Sequence, residues 1–306
     1  MASYTTLADV DQPLIAGRYG LDELHLAPLE GGMANSSFLA TAAQGKYVLT
    51  VLDNHDLAGA ERLAGLNTEL WRRSVPTSEV VPSLAGTRVT DMHGRPTVLK
   101  RWLPGRTLEE LPVALLRPAG RLLAQLHRTR SDGLRLPIGT RRLSDAHLRA
   151  IDTFPDQDFA QWLRRHLKRS PRMDGTRRRH CFVHGDFHAD NIVVRPDGSL
   201  AILDWETATV DDPLLDIGMA LVGHARVGEA LSQERAGEFI VGYREAGDLE
   251  DGDLRQLPRA VQHAALIIAF HRYHRHNVRF PDMAKAQMFR EMMDIADVAE
   301  QLSFTV

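Results

Sequence analysis

The chain of 306 residues contains one cysteine, Cys181. A single thiol excludes an internal disulfide framework and a four-thiolate zinc site, and it fits a reducing compartment. Neither sign of charge dominates: 37 Lys and Arg stand against 40 Asp and Glu, a formal net charge of −3, so no global basic field points to nucleic acid or an anionic membrane. Long apolar runs are missing too, and "AALIIAF" near the end is far too short to span a bilayer. The opening "MASYTTLADVDQPL" has no basic region followed by an apolar core, so it does not read as a signal peptide. There is no fixed-period repeat and no low-complexity tract. What remains is one large domain or two modest ones. The expectation is a cytoplasmic monomer or homodimer with no nucleic-acid or membrane partner.

The first hundred residues read as mixed strand and helix. "SSFLATAA" and "KYVLTVLD" are β-type runs around the turn-like "AAQGK", a hairpin. Residues 56–73 carry Leu57, Ala60, Leu63, Ala64 and Leu70 at helical spacing. Residues 87–103 give a second hairpin around "HGRP". Pro104 and Gly105 then break the pattern, and the chain turns mostly helical. In residues 113–128 an apolar helix face is expected, with Pro118 kinking the helix or marking its start. Helical patterning around "DFAQWLRRHLKR" is weak, and Arg177, Arg178 and Arg179 read as a solvated loop. The organisation is α+β: a strand-rich lobe over 1–99, a hinge at 100–105 and a mainly helical lobe over 106–306.

"FVHGDFHADNIVV", residues 182–194, crowds polar side chains between two apolar runs. As a strand it would put His184, Asp186, His188 and Asp190 on one face, a ligand-like set for zinc or a dinuclear site. Against this, "GD…ADN" is turn chemistry. After Asn191, "IVV" and "AILDWE" form a hairpin whose second strand delivers Asp204 and Glu206. A loop carrying Asp and Asn, then a hairpin, then an Asp, is the layout of a kinase catalytic loop with its metal-binding Asp. In that layout Asp186 is the base for an acceptor hydroxyl. Asn191 and Asp204 are hard oxygen donors that hold Mg²⁺ between the phosphates of ATP.

"HGDFHADN" followed by "ILDWE" resembles the aminoglycoside phosphotransferase and choline kinase superfamily, the small-molecule branch of the protein-kinase-like fold. "DDPLLDIGMAL" is similar to the segment in which an aspartate like Asp216 opens a helix and braces the catalytic loop. Within that superfamily, residues 29–53 look most like type II homoserine kinases. The resemblance implies ATP-dependent phosphorylation of a hydroxyl on a small molecule such as an amino alcohol, aminoglycoside, sugar or nucleoside. It also implies that Gly31 and Gly32 let backbone amides approach the phosphates, with Asn35 and Ser36 as side-chain donors and the adenine held at the hinge near Trp102 and Leu103.

One departure stands out. Kinases of this fold carry a lysine on the third strand, and Thr50 occupies that position here, as in the homoserine-kinase-like branch. Lys46 shares its face but lies roughly 13 Å away at a strand's rise per residue, so the phosphate clamp is either weaker here or supplied from Lys100, which otherwise reads as a surface lysine. With no strand lysine to pair, Glu61 and Glu69 read as a solvated helix face. His184 is expected to hydrogen-bond backbone near the loop, and His188 to serve locally or meet substrate. Glu206 either orders a metal-bound water or forms a salt bridge. "AFHRYHRHNVRF", with His271, Arg272, His274, Arg275 and His276, reads as a cationic helix surface or as the border of the acceptor pocket. Rival readings are a nucleotide-binding pseudokinase, motivated by Thr50, and a metal-dependent hydrolase. A protein kinase is disfavoured because no Ala-Pro-Glu-type segment follows Asp204.

Overall fold

A computed structural model describes residues 4–29, 35–134, 136, 141–169, 180–228 and 230–304. Gly31, Gly32 and the run Arg177–Arg179 lie outside these. The chain divides into two units, residues 1–107 with 192–206, and 108–191 with 207–306.

The first unit opens with helix α1 (Gln12–Tyr19), followed by β1 (His25–Pro28), β2 (Ser36–Ala42) and β3 (Gly45–Val51). Helix α2 (Leu57–Arg72) starts where the Asp56 carboxylate accepts from Gly59 N at 2.7 Å, an N-cap that satisfies an orphan donor. Then come β4 (Val80–Val81), β5 (Thr90–Met92) and β6 (Arg95–Arg101). The strands form an antiparallel sheet in the order β1-β2-β3-β6-β4, with β5 turning back onto β6. Alternation sorts the side chains. Phe38, Ala40, Leu49, Val51 and Leu99 join Ile15 and Tyr19 of α1 in one cluster, while Val80 and Val98 join Ala60 and Ala64 of α2 in another.

In the second unit, α3 (Val113–His127), α4 (Asp145–Ile151) and α5 (Gln157–Arg169) lead to β7 (Cys181–Val183). Strands β8 (Ile192–Val194) and β9 (Leu200–Ile202) form the hairpin assigned to the first unit. There Ile202 N donates to Pro76 O at 2.7 Å, Thr77 Oγ1 donates to Ile202 O at 2.8 Å, and Trp205 Nε1 donates to Thr77 Oγ1 at 3.0 Å. The chain continues through β10 (Thr209–Asp211), α6 (Pro213–His224), the short pair β11 (Arg226–Val227) and β12 (Ala230–Leu231), α7 (Gln233–Ala246), α8 (Asp251–Leu254), α9 (Leu257–Tyr273) and α10 (Arg290–Val298).

Pro118 neither starts α3 nor follows its end; it sits inside the helix, five residues after Val113. The face that continues past it is apolar and buried at Leu116, Leu122, Leu123 and Leu126. Helices α3 and α7 pack at backbone distance, since a β-carbon on Gly120 would overlap the carbonyl of Phe239 and one on Gly242 that of Arg117. Among the described residues no helix is long and apolar enough to cross a membrane.

Candidate active site

Residues 184–188 form a loop, not a strand, so the four polar side chains do not line one face. The loop leaves β7, which pairs antiparallel with β10, and ends in a 3-10 turn at Ala189–Asn191. Its backbone is fastened to Asp216 in the first turn of α6. The fully buried carboxylate accepts from His184 N through Oδ2 and from Gly185 N through Oδ1, each at 2.7 Å. His127 Nε2 donates to Oδ2 at 3.0 Å, and His127 Nδ1 accepts from the Tyr243 hydroxyl at 2.7 Å. Burial alone would raise the Asp216 pKa, but the bonds from His127 and the loop hold it below the usual carboxylate range.

Gly185 has φ +79, and a β-carbon there would come within 2.8 Å of Thr207 O. Thr207 Oγ1 donates to His184 O at 2.8 Å, and His184 Nδ1 accepts from Asp186 N at 3.2 Å. The far side of the loop closes on itself. His188 N donates to Asp186 O at 2.9 Å, and Asn191 Nδ2 reaches the same carbonyl at 2.9 Å and Asp186 Oδ2 at 3.4 Å. The Asp186 side chain is 37% exposed, with Arg141 Nη2 at 2.7 Å and His188 Nε2 at 3.4 Å from Oδ1. Burial pushes its pKa up, and His188, Arg141 and His184 more than reverse this, so the carboxylate stays ionised well below the usual range.

In the first unit, Asp204 and Glu206 lie beyond the end of β9, in a turn rather than on the strand, so they do not share a strand face. Asp204 has φ +58, a left-handed conformation that ends the strand and that Asp tolerates better than most residues, and its Oδ1 accepts from Glu206 N at 3.1 Å. Glu206 Oε1 accepts from Asn35 Nδ2 and lies 3.2 Å from His55 Nε2. Lys100 pairs across the ladder with Val48, and Thr50 with Val98. Lys100 is therefore the diagonal neighbour of buried Thr50 on the same sheet face, roughly 7–8 Å away. Desolvation lowers the Lys100 pKa, opposed by the charges of Asp204 and Glu206. The acidic groups that Lys100 feels are thus on the turn after β9 and not on α2, where Glu69 pairs with Arg73 at 2.8 Å. Ser36 spends both its amide and its hydroxyl on Asp53 Oδ2, at 2.9 and 2.7 Å. Trp102 and Leu103, just after β6, are half-buried, and Trp102 N donates to Lys46 O at 3.1 Å.

The hydrogen bond that His55 donates to Glu206 raises the His55 pKa despite partial burial. Because the folded-state value lies above the unfolded one, the stabilisation from this pair is complete below the ordinary histidine range and fades as pH rises through the raised value. His55→Gln is expected to flatten the loss of thermal stability from about pH 6.5 upward. A Tm-versus-pH series that keeps the wild-type slope contradicts the pairing.

Late in the second unit, α9 continues into a π-turn over His274–Arg279. His274 stacks on Phe270 at 5.6 Å, Arg275 lies over Phe280, and His276 is buried. His271 meets His147 edge-on at 5.4 Å, and its pKa falls to about 4 through burial, with Arg141, His147 and His274 adding to it, so it is neutral near pH 7. Arg272 pairs with Glu291 at 3.1 Å. Among the described residues no group of three or more His, Cys, Asp and Glu is arranged to hold a metal ion. Several contributors were not singled out from the sequence: His127, Tyr243, Arg141 and His55. His127 carried a signal, a polar residue one helical turn beyond Leu123 on the apolar face of α3.

Residues 25–257 match the phosphotransferase enzyme family. The homoserine kinase of Methylobacillus flagellatus is 26% identical over 227 residues, covering 72% of this chain and 70% of that protein. A microcompartment-associated aminopropanol kinase superposes with a TM-score of 0.70 at 19% identity, covering 95% of each chain. An amicoumacin kinase in complex with AMP-PNP, Ca²⁺ and Ami also gives 0.70 at 17% identity, covering 97% of this chain and 96% of that one. At these identities the two structures show a shared protein-kinase-like, mixed α+β fold.

Proposed function

The chain belongs to the phosphotransferase enzyme family and is an ATP-dependent small-molecule kinase, and from that premise we propose that Asp186 is its catalytic base. The observation that carries this is the fastened loop: both amides preceding Asp186 are held by Asp216, while its ionised carboxylate is partly open to solvent. In the step, the acceptor hydroxyl oxygen bonds to the γ-phosphorus of ATP, its proton passes to Asp186, and the bond to the bridging oxygen breaks to release ADP. Positioning and charge neutralisation supply most of the catalysis.

Asn191 and Asp204 are the proposed Mg²⁺ ligands. The donor set fits: Asn191 commits its Nδ2 to Asp186, which turns its amide oxygen the other way, and both groups offer the hard oxygens that Mg²⁺ prefers. When bound, the ion neutralises charge on the ATP phosphates. Glu206 is proposed to hold the Asp204 turn through Asn35 and His55. Lys100 is proposed as the phosphate-facing cation in place of the absent third-strand lysine, because it shares the face of Thr50 one strand away. Lys100→Ala should raise KM for ATP about tenfold, the worth of one charge-assisted hydrogen bond, and leave KM for the acceptor unchanged. An unchanged ATP affinity removes Lys100 from the site.

We assign the enzyme to the cytoplasm, where ATP is available and the single thiol stays reduced. The acceptor is proposed to be a small hydroxylated amino compound, in line with homoserine kinase and aminopropanol kinase among the similar proteins. Purified enzyme with ATP and Mg²⁺, tested against hydroxylated amino acids, amino alcohols, sugars, nucleosides and aminoglycosides, should release ADP fastest with the first two groups. Fastest release with an aminoglycoside or nucleoside overturns the acceptor assignment.

A further inference from the structure

We infer that Arg141 is an anion-reading latch: it grips the catalytic carboxylate until a carboxylate on the acceptor takes its guanidinium and frees Asp186. The inference rests on the phosphotransferase reading and deepens it by naming a group the acceptor carries. Arg141 is built into place. His263 Nε2 on α9 donates to its carbonyl oxygen at 3.0 Å, and the neighbouring Arg142 is tied to the buried carboxylate of Asp211 at 2.6 Å. From that anchored backbone the Arg141 side chain, 18% exposed, reaches Gly185 O and, at 2.7 Å, Asp186 Oδ1. Among the described residues, Asp186 is its one carboxylate partner.

The groups that the Asp186 carboxylate meets are hydrogen-bond donors. Arg141 Nη2, at 2.7 Å, and His188 Nε2, at 3.4 Å, both face Oδ1, and Asn191 Nδ2 faces Oδ2 at 3.4 Å. The nearby acid Glu291 is already shared by Arg272 and Arg226, each at 3.1 Å. A purely cationic acceptor offers Arg141 no partner in exchange for Asp186. One bearing a carboxylate beside its hydroxyl offers Arg141 an ionic partner to replace Asp186. The exchange has a geometric consequence: it uncovers Asp186 Oδ1, the oxygen that Arg141 covers at 2.7 Å.

The test compares acceptors that differ in one group, L-homoserine against L-homoserinamide and 4-hydroxybutyrate against 1,4-butanediol, in wild type, Arg141→Lys and Arg141→Ala. Wild type should prefer the carboxylate member roughly ten- to hundredfold in kcat/KM. Arg141→Ala should erase the preference while raising kcat for the neutral member, and Arg141→Lys should retain part of it. A residue that merely shapes the loop would lower both members equally, and that result overturns the inference. A second arm needs no acceptor. Butyrate, which has no hydroxyl, should stimulate the slow ATP hydrolysis of wild type and leave that of Arg141→Ala unchanged. ATP turnover that ignores carboxylates in both proteins sinks the latch alone, whereas no ATP turnover under any condition sinks the kinase reading and the latch with it.

Discussion

Asp186→Asn should retain the fold and the affinity for ATP and lose roughly 10²–10⁴ in kcat, the range for a general acid–base group. The substitution is close to isosteric. The contacts that shape the loop run through the backbone of Asp186, whose amide donates to His184 Nδ1 and whose carbonyl accepts from His188 N and Asn191 Nδ2. What changes is chemical: an amide cannot take the hydroxyl proton. Because the wild-type carboxylate titrates well below the usual range, Asp186 is ionised throughout ordinary assay conditions. Its loss should therefore depress turnover evenly across neutral pH rather than shift the profile. Steady-state kinetics with the true acceptor decide the matter. Full turnover by Asp186→Asn would show that the base lies elsewhere.

Asp216→Ala should be strongly destabilising. It strips one buried acceptor from His184 N, Gly185 N and His127 Nε2 together. Removing one member of a buried, charged network costs roughly 3–5 kcal/mol, and denaturant unfolding would measure it. Turnover should fall as well, since the His184 and Gly185 amides would no longer be fixed. The sign of the pH effect follows from the depressed Asp216 pKa. The wild-type contribution is present above the ordinary carboxylate range and is lost as pH falls through the folded-state value, so wild type and Asp216→Ala should converge in stability toward acid. A loss below about 1 kcal/mol, within the range of an ordinary neutral hydrogen bond, would mean the carboxylate is not the brace.

Much of the architecture was readable because it is local. Alternation and turn residues gave the hairpins of β2–β3, β5–β6 and β8–β9, and helical spacing gave α2 and α3. The segment 182–206 carries its candidate loop, hairpin and acidic turn in one contiguous run. What the sequence hid is long-range or conformational. Strand β10 is three residues long and exists by pairing with β7, a partner more than twenty residues earlier. The Asp204 turn depends on a positive φ that no side-chain pattern announces, which is why a strand was expected to continue through Glu206. Tyr243 meets His127 across 116 residues, and Arg141 meets Asp186 from a segment with weak periodicity. The missing lysine at Thr50 was visible, whereas the register that brings Lys100 beside it required the sheet.

The most direct test follows the phosphorus. With ATP, Mg²⁺ and the best acceptor from the panel, ³¹P NMR of the reaction should show a phosphomonoester of the acceptor growing in step with ADP, and both signals should collapse in Asp186→Asn. ADP accompanied by inorganic phosphate alone, or phosphomonoester formed at the wild-type rate by Asp186→Asn, would contradict the account.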